Sequence, residues 1–117
     1  MPRASAAAMV AIVVVATLTS PPAGEALLTC PEVIGGYFLA CLLYLQSGGP
    51  IPSACCRGLT NLLAAAQATV DRRAACSCLE MAVRGATEEV LRRAGLLPDR
   101  CNLSLPFVIS PSTDCSL

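Results

Sequence analysis

The sequence contains no histidine, no lysine and no tryptophan, and these absences exclude most catalytic sites known in small proteins. Without histidine, neither a Ser-His-Asp triad nor a Cys-His pair can form. Without lysine, Schiff-base chemistry and the phosphate-binding P-loop are excluded as well. The carboxylates are scattered, and the nearest pair, Glu88 and Glu89, fits a solvated helix surface. We therefore predict a protein that is not an enzyme and that needs no cofactor.

Charged residues are also scarce, because they make up 14% of the chain and the formal net charge is zero. A protein that binds nucleic acid normally presents a basic stripe. The densest basic sites, Arg72–Arg73 and Arg92–Arg93, are too isolated for that. Balanced charge also argues against strong attraction to anionic membranes. We expect no nucleic-acid partner and only transient contact with membrane surfaces.

Residues 1–26 have the pattern of a secretory signal peptide. Arg3 supplies the positive start, and an almost purely apolar stretch follows from Ala6 to Leu18. Gly24 and Ala26 place small residues where a signal peptidase needs them. A membrane anchor is the alternative, but about 13 apolar residues are too few to span a bilayer, which needs roughly 20. The sequence predicts a secreted protein, with one domain over residues 27–117.

Eight cysteines remain after this leader, and their even number indicates disulfides in an oxidising compartment. Their order is Cys30, Cys41, Cys55, Cys56, Cys76, Cys78, Cys101 and Cys115. A chain of about 90 residues can bury only a small hydrophobic core, which supplies little stability. Domains of this size are commonly stabilised by cross-links. Each disulfide typically adds about 2–4 kcal/mol to the free energy of unfolding. Four disulfides can therefore stabilise a domain whose interior is not completely filled by side chains.

Spacing alone narrows the pairing of these cysteines but leaves many arrangements open. The adjacent Cys55 and Cys56 could bond to each other only through a strained ring. Cys76 and Cys78 would point about 200° apart on a helix, because each residue advances by about 100°. Each member of both couples must therefore bond elsewhere. The second and third helices are then each tied to two other parts of the chain.

Four helices are expected, and the first is opened by Pro31. It carries Val33, Tyr37, Cys41 and Tyr44 at helical spacing, and it ends at the Gly- and Pro-rich break of residues 47–52.

Hydroxyl side chains mark the starts of the other three helices. Ser53, Thr69 and Thr87 are the predicted N-caps. Asp71 lies in the first turn of the third helix, where a negative charge is favoured by the helix dipole.

The ends of the last two helices are less clearly marked. The third helix is expected to continue through Val83 and Ala86. Gly95 is the predicted C-cap of the fourth, which places Arg92 and Arg93 in its last turn.

The C-terminal stretch is expected to be irregular, because Pro98, Pro106 and Pro111 disfavour a long helix. Its apolar side chains alternate with less apolar ones, and they are Leu103, Leu105, Phe107 and Ile109. An apolar row on a non-helical segment indicates a lid across the helices. A sheet is the alternative, but no partner strand is visible.

The cysteine order and its neighbours resemble the type 1 non-specific lipid-transfer proteins of plants over the whole of residues 27–117. The matching segments are Leu28-Thr29-Cys30, Cys41-Leu42-Leu43-Tyr44-Leu45, Cys55-Cys56-Arg57-Gly58, Ala68-Thr69-Val70-Asp71-Arg72-Arg73, Cys76-Ser77-Cys78-Leu79 and Leu105-Pro106-Phe107-Val108-Ile109-Ser110. The cysteine order together with these segments indicates the family far more specifically than the cysteine order alone.

The resemblance implies an all-α fold of four helices around a tunnel-like apolar cavity, stapled by disulfides and enclosed by the irregular C-terminal segment. The pairing that it implies is Cys30–Cys78, Cys41–Cys55, Cys56–Cys101 and Cys76–Cys115. Ser77 favours this pairing over the type 2 arrangement, which usually has an apolar residue there. The function implied is that of a monomeric carrier that binds and transfers fatty acids and phospholipids.

The resemblance also assigns site residues. It implies that Arg72 binds a carboxylate or phosphate headgroup, for which a guanidinium is well suited; the alternative is an arginine paired with a neighbouring acid. Asp71 is expected to cap the helix and orient its neighbour. The residues expected to line the cavity are Leu59, Leu62, Ala66, Leu79, Val83, Ala94, Leu97, Leu103, Leu105, Phe107 and Ile109.

Three departures from the family pattern affect these expectations. Phe107 stands where many relatives have tyrosine, so no hydroxyl can assist Arg72. Ten residues instead of nine separate Cys30 from Cys41, so no lining residue is assigned in residues 31–40. The net charge is zero, where relatives are often basic.

Two other functions occur in the same eight-cysteine superfamily. An inhibitor of amylase or trypsin usually has longer, exposed loops, and this chain has short ones. A membrane-active defence protein usually carries positive charge, and this chain is neutral.

Overall fold

The computed structural model describes residues 25–116 and shows a helical protein with no β-strand in that range. A π-helical segment, Glu32–Tyr37, precedes four α-helices. These helices are α1 (Leu39–Ser47), α2 (Ser53–Ala65), α3 (Thr69–Ala82) and α4 (Glu88–Arg100). The prediction of an all-α fold is confirmed. Most of the predicted signal peptide lies outside the described residues.

The first predicted helix is not continuous, and the sequence explains why. Phe38 donates its backbone N–H to the carbonyl of Val33 over 3.0 Å, which is the i→i−5 bond of a π-helix. Such a turn encloses one more residue than an α-helical turn, so it accommodates the additional residue between Cys30 and Cys41. Gly35 and Gly36 weaken a regular helix at the same point. Phe38 then leads into α1.

The predicted N-caps of α2 and α3 are wrong by one residue. Pro52 and Ala68 precede the two helices, and neither side chain caps a backbone N–H. The hydroxyls of Ser53 and Thr69 instead accept hydrogen bonds from arginines one turn later, Arg57 and Arg72, both at 3.1 Å. An arginine at this spacing competes for the oxygen that would otherwise cap the helix.

Helix α3 ends earlier than predicted. Its last residue is Ala82, with Val83 as C-cap, because Gly85 has a φ of 77° and turns the chain away before Ala86.

Helix α4 begins at the predicted place and ends later. The Thr87 hydroxyl accepts the N–H of Val90 over 3.3 Å, so this N-cap prediction is confirmed. The helix then continues through Gly95 and Pro98 to Arg100. Glycine costs about 1 kcal/mol and proline about 3 kcal/mol in a helix interior. Burial of Leu97, worth about 1.5–3 kcal/mol, and the disulfide that follows the helix offset these costs.

Arg93, predicted in a last turn, lies in the middle of α4 and holds the end of α1. Its guanidinium donates to the carbonyl oxygen of Leu45 over 2.7 Å and pairs with Glu89 at 3.2 Å. The last carbonyls of a helix have no partner within it, and an arginine that approaches them satisfies both hydrogen bonding and the helix dipole. The contact joins the two helices near Gly48, whose φ of 72° ends α1.

Four disulfides tie the helices together at their edges, and the structure pairs the cysteines as the resemblance implies. Cys30–Cys78 joins the start of the domain to α3, and Cys41–Cys55 joins α1 to α2. Cys56–Cys101 joins α2 to the end of α4, and Cys76–Cys115 joins α3 to the C-terminal segment. The second and third helices are each bonded to two other parts of the chain.

Aliphatic side chains from every helix form one core. The largest side chains that are fully buried there are Phe38, Leu45, Leu59, Leu79, Leu97 and Ile109. Across residues 101–116 the chain is irregular and lies on this core, with Leu103, Leu105 and Phe107 half-buried and Ile109 buried. Within the described part of the chain, none of the helices is both long and apolar enough to cross a membrane.

Gly58 allows α2 to pack directly against the π-helical segment. A Cβ atom at this position would overlap the carbonyl oxygen of Tyr37 and lie 3.1 Å from its carbonyl carbon. The neighbour is backbone, so it cannot move aside as a flexible side chain would. The π-helical turn and the glycine therefore depend on each other.

We predict that Gly58→Ala lowers the free energy of unfolding by about 2–3 kcal/mol, because α2 must move away from Tyr37. Thermal unfolding followed by circular dichroism should show a midpoint lower by about 10 °C or more. Gly95→Ala is the matched control. Gly95 lies inside α4 with nothing within 4 Å of the added atom, so this change should be neutral or slightly stabilising. Equal midpoints for the two variants would contradict the close approach.

Candidate functional site

All eleven residues predicted to line an apolar cavity belong to the single core. The completely buried ones are Leu59, Leu62, Ala66, Leu79, Val83, Ala94, Leu97 and Ile109. Leu103, Leu105 and Phe107 pack on them from the C-terminal segment and remain half-buried. The fold therefore brings the predicted set together, and contact of these residues with a lipid remains a prediction.

Three of the leucines in this core are completely enclosed by their neighbours. Leu59, Leu79 and Leu97 have no accessible surface, so no space that could hold a water borders them. Apolar side chains of this kind gain dispersion energy by closing on each other. Two open grooves lie at the rim of the core.

One groove, here called the C-terminal groove, has a volume of about 380 Å³. Its walls are Gly95 and Pro98 of α4 on one side and the segment 103–108 on the other. Leu103, Leu105 and Phe107 line it and also pack on the core. The groove therefore borders the core.

A second groove, here called the α1 groove, has a volume of about 360 Å³. It lies between the end of α1, with Leu42 and Leu45, and the turn between α3 and α4. Val90 closes one side and Arg84 borders it. Sequence reasoning missed this groove, because its walls come from a turn whose conformation depends on the positive φ of Gly85.

Sequence reasoning also missed the contribution of the first helical region to the core. Val33, Phe38, Tyr44 and Leu45 are all buried in it. Their helical spacing was a usable signal for Val33 and Tyr44. The additional residue before Cys41 shifts the alignment of residues 31–40 with the family, so the roles of Val33 and Phe38 could not be transferred.

Arg72 lies at a small pocket of about 30 Å³ where α3 meets the C-terminal segment. Its guanidinium donates to the carbonyl oxygen of Gln67 and to the hydroxyl of Thr69. Neither acceptor is charged, and within residues 25–116 the arginine forms no ion pair. The alternative of an arginine paired with an acid is therefore not what the geometry shows. Two neutral partners hold the guanidinium while its charge stays available to an anion.

Two further charged side chains line this pocket, and neither was predicted. Arg73 adds a second positive charge, and Asp114 adds a negative one. The Ser116 hydroxyl and the Ser116 N–H donate to the Asp114 carboxylate at 2.6 and 2.9 Å, and these bonds lower its pKa. Asp114 is therefore ionised at neutral pH. The pocket carries one net positive charge.

Asp71 does not have the role that was expected. Its carboxylate makes no hydrogen bond to Arg72, and it accepts instead from the backbone N–H groups of Leu27 and Leu28. The side chain is buried beneath the start of the domain. It therefore neither orients the arginine nor caps α3.

Phe107 and Pro106 connect the charged pocket to the C-terminal groove, because both residues line both spaces. The absence of a tyrosine hydroxyl makes the shared wall entirely apolar. An amphipathic molecule with an anionic head and a hydrocarbon tail fits this arrangement. Its head would meet a guanidinium, and its tail would follow apolar side chains into the core.

The helical fold, the four disulfides and the apolar core define a class of small cross-linked helical proteins, and sequence comparison identifies the family. Residues 30–115 match the family described as protease inhibitor, seed storage and LTP. The chain belongs to this family. Within it, the relatives are plant non-specific lipid-transfer proteins, so the resemblance found in the sequence is confirmed.

Three relatives show how close the similarity is. Non-specific lipid-transfer protein 6 of Arabidopsis thaliana is 44% identical over 94 residues, which cover 79% of this chain and 82% of that one. The structure of barley non-specific lipid transfer protein 1 with lysophosphatidylcholine is 37% identical, with a TM-score of 0.68, covering 76% of this chain and 97% of that one. The wheat protein with two phospholipid molecules is 35% identical, with a TM-score of 0.67 and coverages of 76% and 98%.

Proposed function

We propose that this protein is a secreted carrier that binds fatty acids and phospholipids and transfers them between surfaces. The acyl chain enters the core through the C-terminal groove, and the headgroup stays at the pocket of Arg72. The observation that carries this proposal is the shared wall of Pro106 and Phe107 between the two spaces. Relatives at 35–37% identity have been solved with lysophosphatidylcholine and with phospholipid.

The driving force is burial of hydrocarbon, worth about 0.8 kcal/mol for each CH₂ group, so a dozen methylenes give on the order of 10 kcal/mol. Transfer of the lipid from a membrane to the protein gains little of this free energy, because the acyl chain is already surrounded by hydrocarbon in the membrane. Exchange between membrane and protein is then nearly neutral, which suits a carrier. The contacts are non-directional, so chain length and head type are weakly discriminated.

The C-terminal segment is the part that must move for the core to open. Between Ser104 and Ile109 no backbone-to-backbone hydrogen bond holds the described chain. Disulfides at Cys101 and Cys115 fix both ends of the segment. Its middle can therefore rise from the core at the cost of apolar side-chain contacts and of one hydrogen bond, from the Thr113 hydroxyl to the carbonyl oxygen of Val108, while the helices stay in place.

The remaining features of the proposal concern the state of the protein. Its signal peptide is removed after Ala26, and the domain of residues 27–117 acts as a monomer in the cell wall. Contact with a membrane is transient, because the charge is balanced. It has no catalytic role and no cofactor. The relatives are named as lipid-transfer proteins, which agrees with a role in binding.

Displacement of a fluorescent fatty acid, measured beside vesicle leakage and inhibition of amylase and trypsin, separates this function from the two alternatives. We expect saturable displacement by palmitate and lysophosphatidylcholine without leakage and without inhibition. Leakage at comparable protein concentrations would indicate a membrane-active protein. Inhibition without displacement would indicate a protein-binding module.

We predict that Val83→Trp reduces affinity for a fatty acid by about tenfold or more. The indole occupies the space of at least two methylenes, each worth about 0.8 kcal/mol. Met81→Trp is the matched control, because Met81 lies two residues away on α3 and is exposed. Fluorescent displacement measures affinity, and far-ultraviolet circular dichroism checks that both variants are folded. Equal affinity in the two folded variants would contradict the assignment of Val83 to the lipid site.

Arg72→Ala should weaken binding of a fatty acid by about tenfold and leave a neutral monoacylglycerol almost unchanged. The reason is that a charge-assisted hydrogen bond to the carboxylate is worth about 1.5–3 kcal/mol, less where solvent screens it. Arg57→Ala removes one exposed positive charge on α2 and serves as control. Equal losses for the neutral and the anionic lipid would argue against a headgroup role for Arg72.

A further inference from the structure

Asp71 is the one charged side chain that is buried in the described part of the chain, with 5% of its surface accessible. Its Oδ1 atom accepts the N–H of Leu27 over 2.7 Å and the N–H of Leu28 over 3.1 Å. No arginine of residues 25–116 lies within ion-pair distance of it. A buried carboxylate with only neutral donors is costly, because its charge has left water without gaining a cation.

The chain around Leu27 passes from solvent into the core at this point. Glu25, Ala26 and Leu27 are exposed, whereas Leu28 is buried. The disulfide between Cys30 and Cys78 holds the same stretch against α3. The peptide bond between Ala26 and Leu27 is thus at the surface, and the nitrogen of that bond lies 2.7 Å from Oδ1 of Asp71.

We propose that the Asp71 carboxylate is the binding site of the ammonium group that signal-peptide cleavage creates at Leu27. The inference rests on the processing described under the proposed function. Hydrolysis of the Ala26–Leu27 bond consumes one water, leaves a carboxylate on Ala26 and gives the Leu27 nitrogen the protons of an ammonium. The neutral donor at 2.7 Å is then replaced by a cation at the same place.

This replacement supplies the charge partner that the buried carboxylate lacks. The existing bond already has an ionised acceptor, and the ammonium adds the attraction of an opposite charge, which is stronger away from bulk water. Asp71 lies in the first turn of α3, so the ion pair ties the start of the processed chain to this helix. Asp71 contacts the chain's own terminus and not the lipid.

The absence of lysine provides a direct test, because the ammonium at Leu27 is then the only primary amine of the processed protein. The full chain is produced in a eukaryotic secretory host, and intact mass gives the first residue. Reaction with an acetylating reagent then reports on this one amine. We expect acetylation to be about tenfold slower in the folded protein than in the reduced, denatured protein, because the ion pair retains the proton.

Asp71→Asn should restore the rate of the denatured protein, since the amide keeps an acceptor oxygen and loses the charge. Glu88→Gln is the control, because it removes an exposed carboxylate at the start of α4 and should leave the rate unchanged. A secreted protein that begins at another residue would overturn the proposal. So would an equal rate in wild type and Asp71→Asn.

Thermal unfolding gives a second measurement, in which the amine is changed instead of the carboxylate. Acetylated wild type, or a protein that begins at Glu25, should unfold about 5 °C lower than the processed protein. Acetylation of the Asp71→Asn variant should leave its midpoint of thermal unfolding unchanged. If acetylation lowered the midpoint of this variant as much as that of the wild type, the ion pair would be contradicted. Fatty-acid displacement on the same samples separates this proposal from the carrier function. A protected amine without lipid binding would overturn the carrier alone, and binding with an unprotected amine would overturn the ion pair alone.

Discussion

Cross-links at the edges of the helices are the constraint on which the other features depend. Each α-helix is bonded to a neighbour or to the C-terminal segment, and the π-helical segment is preceded by a further bridge. These bonds restrict the unfolded chain and reduce the stability that close packing must supply. The proposed opening of the core to a hydrocarbon can then occur without loss of the fold.

The sequence was sufficient for the fold class and for most helix positions, because cysteine spacing and helical periodicity are local signals. It failed at features decided by tertiary contacts. The glycine and proline in α4 predicted an early end, but burial of Leu97 and the bond at Cys101 hold the helix together. The π-helical turn was signalled only by one additional residue before Cys41, whose structural consequence depends on Gly58 in another helix.

The same distinction applies to the candidate site. The predicted lining residues share one core because each helix must bury its apolar face, and they had been named by the family resemblance. Periodicity gave no indication of Arg73 and Asp114 beside Arg72, since they meet only when the C-terminal segment folds back on α3. Asp71 shows the opposite case. Its position in a first turn suggested a role at the helix start, whereas its partner lies more than 40 residues earlier in the chain.

The C-terminal segment, closed at both ends by disulfides, has a fixed contour length. Thirteen residues separate Cys101 from Cys115, and neither end can be released while the protein stays oxidised. Slack in this loop therefore sets the greatest girth of cargo that the protein can admit. The two bridges thus limit how far the strap can move away from the helices, whatever lies beneath it.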